Sequence, residues 1–158
     1  MIFVTVGTQL PFDRLITTID SYYHNKSIDV FAQIGPSEYT PKNIKYSDFI
    51  TPVEVEYYNK NCSLVIAHAG TGSIFTAMKY KKPLIIMPRK ASLGEHRNEH
   101  QLATIEWASD IDGVTVAKNE HDLINILESK LFEKNNINFE EYAQKELINF
   151  LKKEIENI

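Results

Sequence analysis

Between Ala67 and Ser73 the chain reads AHAGTGS, which sets a histidine, two glycines and two hydroxyl side chains within seven residues. The apolar run Leu64-Val65-Ile66 leads into it, and a helical pattern begins near Ser73. Strand, small-residue turn and helix start are the geometry in which backbone N–H groups point at a phosphate. GTQLPF, from Gly7 to Phe12, is a second stretch of this kind, between the apolar opening Ile2–Val6 and another helical pattern. Gly7, Gly70 and Gly72 would let backbone approach an anion closely. Thr8, Thr71 and Ser73 would add hydroxyl donors, and each helix start adds a favourable dipole. Two such loops facing one crevice would hold a diphosphate better than either alone. Taken singly, each is equally well a glycine turn that ends a strand, with a histidine lying beside one of them.

A third polar stretch, RKASLGEHRNEHQLA from Arg89 to Ala103, follows the apolar run PLIIMP. Glu95, His96, Arg97, Glu99, His100 and Gln101 are suited to hydroxyl-rich groups, and equally to a solvated helix face. His96 and His100 have the four-residue spacing of a zinc pair, but Arg97 follows His96 where the zincin pattern has Glu, and no third ligand is specified. No metal and no cofactor are therefore expected. Asp110-Ile-Asp112 has the Asp-x-Asp spacing of some metal-dependent sugar transferases, yet it stands beside Gly113 between a helix and a strand and reads as a turn. GTGSIF is not a Gly-x-Ser-x-Gly nucleophile elbow. A nicotinamide fingerprint would want three glycines after the first strand, where only Gly7 stands.

The elements that would carry these loops alternate along the chain. Ile2–Val6, Val30–Ile34, Leu64–Ala67, Leu84–Met87 and Val114–Val116 read as strands, most of them apolar throughout, as strands covered on both faces are. The segment Ile44–Ile50 can supply another. Phe12, Leu15, Ile16, Ile19 and Tyr23 recur at helical spacing, with Pro11 suited to the first turn. Further helices are expected at about Val53–Asn59, Ser73–Tyr80, Glu95–Ala108 and Glu120–Leu131. This alternation predicts an α/β fold with a Rossmann-like, doubly wound parallel sheet, one domain over 1–158. A final helix is expected at about 139–157, its apolar stripe including Leu147, Phe150 and Leu151. Packing back on the domain is the simplest use for that stripe; docking a partner or lying on a membrane are the others.

With 158 residues the chain can bury one core. Its net charge of −4 argues against a nucleic-acid partner. A lone cysteine, Cys62, precludes an intrachain disulfide and suits a reducing compartment. Strand sequence from Ile2 onward leaves no room for a signal peptide, and no apolar run is long enough to span a membrane. A cytoplasmic location is expected.

Taken together, HAGTGS, KKPLIIMPR and GEHRNEHQLA resemble the carboxyl-terminal domain of glycosyltransferase family 28. The opening MIFVTVGTQLPFDRL resembles the small catalytic subunits of two-subunit bacterial exopolysaccharide and capsule glycosyltransferases. Those are related to the cytosolic subunit of the eukaryotic enzyme that adds the second N-acetylglucosamine to dolichol-linked sugar. The resemblance runs from Met1 to about Trp107. It implies the carboxyl-terminal half of a GT-B enzyme, the half that holds the nucleotide sugar. By position, Gly7, Thr8 and Gln9 would face the diphosphate, and His68, Gly70, Thr71, Gly72 and Ser73 would form a second phosphate turn. His100 and Gln101 would meet the donor sugar, and Phe49 and Ile50 would lie near the uracil. Where many relatives carry a ribose-binding glutamate this chain has Thr76, so that contact falls to Thr76, or to Glu95 or Glu99.

In one-chain relatives the acceptor site and the general base lie in the other half, so no catalytic base is assigned here. The expected function is the donor-binding catalytic subunit of an inverting glycosyltransferase, moving sugar from a UDP-sugar to a lipid-linked sugar acceptor in exopolysaccharide or capsule synthesis. A membrane-anchored partner subunit would supply the rest of the cleft and hold the chain at the inner face of the membrane. The alternatives are a non-catalytic nucleotide-binding regulatory subunit and a Rossmann-type nucleotide-dependent epimerase or reductase.

Overall fold

A computed structural model describes residues 1–97 and 100–134. The apolar runs become β1 (Ile2–Thr5), β2 (Val30–Gln33), β3 (Lys45–Ser47), β4 (Leu64–His68), β5 (Leu84–Met87) and β6 (Val114–Val116). Between and after them come α1 (Asp13–Tyr22), α2 (Pro52–Asn61), α3 (Thr71–Lys79), α4 (His100–Ala108) and α5 (Glu120–Ser129). All five strand pairs are parallel, in the order β3-β2-β1-β4-β5-β6. The chain thus starts in the middle, winds out to β3, returns to place β4 beside β1, and winds out the other way. This is the doubly wound sheet expected from the sequence, and its winding reverses between β1 and β4.

Alternation along β1 divides the core. Ile2 and Val4 pack with Leu15, Ile16 and Ile19 of α1 and Leu123, Ile126 and Leu127 of α5. Phe3 faces the other way, with Val65 and Ala67 of β4, Ile74, Ala77 and Met78 of α3, and Ala108 of α4. α2 joins this second face through Tyr58, whose ring stacks on Phe3 and Phe31 at centroid distances of 5.3 and 4.0 Å. Apolar layers on both sides explain why the strands carry so few polar residues.

Buried polar contacts fix the connection from β2 to β3. Asp20 is fully buried on α1, and its carboxylate accepts from the amides of Lys42, Asn43 and Ile44 and from the Tyr39 hydroxyl. Burial would raise its pKa, but the bonds from Lys42, Tyr39 and Asn43 outweigh that and hold it below the usual carboxylate value.

Several expected boundaries move. Pro11 stands before the helix rather than in its first turn, because Phe12 is the N-cap and Asp13 the first helical residue. α3 starts at Thr71 rather than Ser73. The helix expected from Glu95 is not formed over Glu95–Arg97, and α4 is described from His100. Ahead of it a short 3-10 turn, Ala91–Leu93, is closed by Gly94 in the left-handed region at φ 71°. The Glu95 side chain then turns back to accept from the Lys90 amide at 2.8 Å. The terminal helix expected at about 139–157 lies outside the described residues.

Candidate functional site

β1 and β4 end side by side, with Thr5 in register with Ala67. From there the chain leaves to opposite faces of the sheet, through one glycine loop into α1 and through the other into α3. Between these loops lies a cleft of about 580 Å³ at the carboxyl ends of the strands. Gly7, Thr8, Gln9, His68, Gly70, Thr71, Gly72, Ser73, Thr76 and Gln101 all line it. Two loops more than sixty residues apart in sequence therefore share one cavity.

The His68 ring lies where the two loops meet. A Cβ on Gly70 would stand 2.2 Å from its Nε2, and a Cβ on Gly7, whose φ is +75°, would stand 2.9 Å from its Cε1. An added Cβ at either glycine would thus force the imidazole to shift, and at Gly7 the positive φ disfavours a side chain as well. A Cβ on Gly72 would meet nothing within 4 Å. Burial lowers the His68 pKa to about 4, helped by the Arg89 charge and, more weakly, by His96, against an opposing pull from the Thr5 backbone. The ring is neutral at pH 7. Its Nδ1 is buried without a hydrogen-bond partner among the described residues. An orphaned buried nitrogen costs about 1–3 kcal/mol, and such exceptions call for a functional reason.

The carbonyls of the first loop are bound from behind. Gln33 Nε2 donates to Gly7 O at 3.0 Å, while Gln33 Oε1 accepts from the Thr5 hydroxyl at 2.6 Å. That hydroxyl accepts in turn from the Gly7 amide at 3.2 Å, which closes a small ring of bonds. Arg89 donates to the carbonyls of Val6, Leu10 and Pro11. In contrast, no acceptor among the described residues serves the amides of Thr8, Gln9 or Leu10. On the other loop, the first backbone bond within α3 runs from Ile74 to Gly70 at 3.2 Å, which leaves the amides of Thr71, Gly72 and Ser73 without acceptors among the described residues. Such donors at a helix N-terminus are the kind that suit an anion.

The rim is mixed. Gln101 lines the cleft, but its Oε1 accepts from the Arg89 amide at 2.9 Å, so only its NH₂ is left for a ligand. Thr76 donates to Gly72 O at 2.8 Å and retains its acceptor capacity. Glu95 is not in the lining. Its carboxylate is held by Arg14 from Nε at 2.7 Å and Nη2 at 2.8 Å, and by the Lys90 amide. Phe49 and Ile50 follow β3 at the same end of the sheet, outside the lining; Phe49 is exposed and Ile50 packs on the core. Glu99 lies outside the described residues, and His100 is placed only as the first residue of α4. Thr5, Gln33, Asn59 and Arg89 line the cleft and were not among the expected site residues. For Thr5 and Gln33 the available signal was a polar residue at the carboxyl end of an otherwise apolar strand.

The glycosyltransferase family 28 C-terminal domain matches residues 1–158. The UDP-N-acetylglucosamine transferase subunit ALG13 of Eremothecium gossypii is 44% identical over 39 residues, 25% of this chain and 19% of that protein. Among solved structures, the glycotransferase of kitacinnamycin superposes with a TM-score of 0.61 at 13% identity, over 84% of this chain and 36% of its own. The spinosyn forosaminyltransferase SpnP gives 0.55 at 21% identity, over 83% and 35%. These likenesses show the fold, and the chain spans about a third of the length of the solved glycosyltransferases it matches.

Proposed function

The chain belongs to the glycosyltransferase family 28 C-terminal domain family, and on that premise we propose that it is the donor-binding subunit of an inverting glycosyltransferase using a UDP-sugar. One observation carries the reading. Two glycine loops converge at the β1/β4 reversal, line one cleft, and carry amides that have no acceptor among the described residues. In open parallel sheets this is where ligands sit. A nucleoside diphosphate offers the charge and length to engage both loops at once. In the transfer, the bond from the sugar to the diphosphate breaks as an acceptor hydroxyl attacks the opposite face of the sugar. The leaving diphosphate gathers negative charge, and the Thr8 and Gln9 amides with the α3 N-terminus stabilise it. The acceptor is a lipid-linked sugar, as in exopolysaccharide or capsule assembly. A membrane-anchored partner contributes the acceptor side of the cleft and the general base, and keeps the chain at the cytoplasmic face.

Calorimetric titration of UDP, UDP-glucose, UDP-galactose, UDP-glucuronate and UDP-N-acetylglucosamine tests the reading. Binding of UDP, with a preference for one sugar, is expected. His68→Ala or Ser73→Ala should each weaken UDP by about 1.5–3 kcal/mol, the worth of a hydrogen bond to a charged group. UDP affinity unchanged in both variants would remove these two residues from the donor site. No heat with any of the five ligands would sink the nucleotide reading itself.

A further inference from the structure

The buried positive charge in the cleft belongs to Arg89, the last residue of the KKPLIIMPR stretch, to which sequence alone assigns no role. It stands just beyond β5 and is 3% exposed. Its Nη2 donates to Val6 O at 2.7 Å and Leu10 O at 2.5 Å, and its Nε to Pro11 O at 3.2 Å. The guanidinium also lies 5.2 Å from the centre of the Phe12 ring. Every one of these acceptors is a carbonyl. No carboxylate among the described residues forms an ion pair with Arg89, and Glu95, which acts on it electrostatically, is itself paired with Arg14. Nη1 has no acceptor among the described residues. Burial lowers the pKa only to about 10, so the group is charged at neutral pH. Among the described residues Arg89 is thus a buried cation with no ion-paired counter-ion, a costly state that carbonyl dipoles offset only in part.

Resting on the reading of the cleft as a diphosphate site, we propose that Arg89 is its positioning residue, holding the Gly7 loop by three carbonyls and supplying the buried positive charge that the diphosphate neutralises. The two roles need the same group. A guanidinium is planar, permanently charged and able to serve several acceptors at once, whereas an ammonium has the charge without the span. By bonding the carbonyls of Val6, Leu10 and Pro11, Arg89 fixes the loop whose Thr8 and Gln9 amides have no acceptor among the described residues. The incoming anion is then met by preset donors above a charge that is already desolvated.

The test compares wild type, Arg89→Met and Arg89→Lys by calorimetry with UDP, inorganic pyrophosphate and uridine, at low and high salt. Circular dichroism and urea midpoints monitor folding. Arg89→Met should weaken UDP and pyrophosphate about tenfold or more while uridine stays within about twofold. It should also flatten the salt dependence of UDP binding. Arg89→Lys should fall between, keeping the salt dependence but not the full affinity. Equal losses for UDP and uridine, or no loss for either, would reduce Arg89 to a brace of the fold and overturn the proposal. If Arg89→Met does not fold, Arg89→Lys decides alone: wild-type UDP affinity refutes the proposal, and a loss confined to the phosphate ligands supports it. Wild type that takes pyrophosphate but not UDP would defeat the nucleotide reading while the variants still judge Arg89. Wild type that takes neither would defeat both.

Discussion

A histidine ring held between two glycines makes the Gly70 position intolerant of a single added carbon. The Cβ of Gly70→Ala would lie 2.2 Å from His68 Nε2 and 2.9 Å from both Cδ2 and Cε1, so the buried ring would have to move. The variant should lose about 1–3 kcal/mol of stability, as overpacked sites do, and should lose UDP affinity with it. Gly72→Ala is the control, since its Cβ meets nothing. It should leave the urea midpoint unchanged or raise stability by up to about 1 kcal/mol, because alanine is the better helix residue. Similar losses in both variants would mean that His68 is not wedged as described. The same ring sets a pH response. Its folded pKa of about 4 lies below the ordinary 6.5, so between those values the unfolded chain binds the extra proton. Stability is therefore complete above about pH 6.5 and falls as pH is lowered toward 4. By pH 5 the loss should be about 1–2 kcal/mol. Urea midpoints at pH 7 and pH 5 should show that slope in wild type and a flatter one in His68→Gln. Asp20, with its depressed carboxylate pKa, adds a further loss that begins at lower pH.

Elements position the site through contacts that cross the sheet, and Arg14 makes several of them. From α1 it donates to Glu95 in the rim segment, to Glu120 at the start of α5, and to Pro88 O after β5. Arg14 and Glu95 are both largely buried, so their pairing is not the weak surface kind. A double-mutant cycle with Arg14→Met and Glu95→Gln, read by urea denaturation, should give a coupling of about 1–3 kcal/mol. Additive effects would show that the rim is held by something else. The strands and the sites of the two glycine loops were legible in the sequence because apolar runs and turn residues are local signals. Part of α2 was also legible, although its start at Pro52, set by a Thr51–Glu54 capping box, lies one residue before the expected Val53. The non-helical course of Glu95–Arg97 was not. The polar run from Glu95 continues a helical pattern, and the left-handed Gly94 and the reach of Glu95 to Arg14 turn these residues away from it. Thr5, Gln33 and Arg89 escaped for a related reason. Their roles arise from strand register, which puts Thr5 beside Gln33, and from a guanidinium that reaches back across 83 residues to Val6. No window of sequence contains such a contact.

At the scale of the molecule, the cleft gathers amides that have no acceptor among the described residues, and a transferase needs more than that. Attack on a donor sugar requires an acceptor held within reach, a base for its proton and the exclusion of water. The described lining offers two histidines, His68 and His96, and burial with the Arg89 charge makes His68 a poor proton acceptor near neutral pH. Glu95, a carboxylate close to the rim, is already bound by Arg14 and the Lys90 amide. On the proposed reading these needs are met by a partner that covers the carboxyl ends of the strands, so binding and turnover should separate. The 158-residue chain, purified free of any partner, should bind UDP yet transfer no sugar to a lipid-linked acceptor above the rate of UDP-sugar hydrolysis. Adding membranes that contain the partner should raise transfer by several orders of magnitude, since proximity and orientation alone are worth about 7–11 kcal/mol. Transfer should be lost again in His68→Ala, which tests whether the added activity uses this cleft. Robust turnover by the isolated chain would refute the two-subunit reading and place the base among residues 1–158.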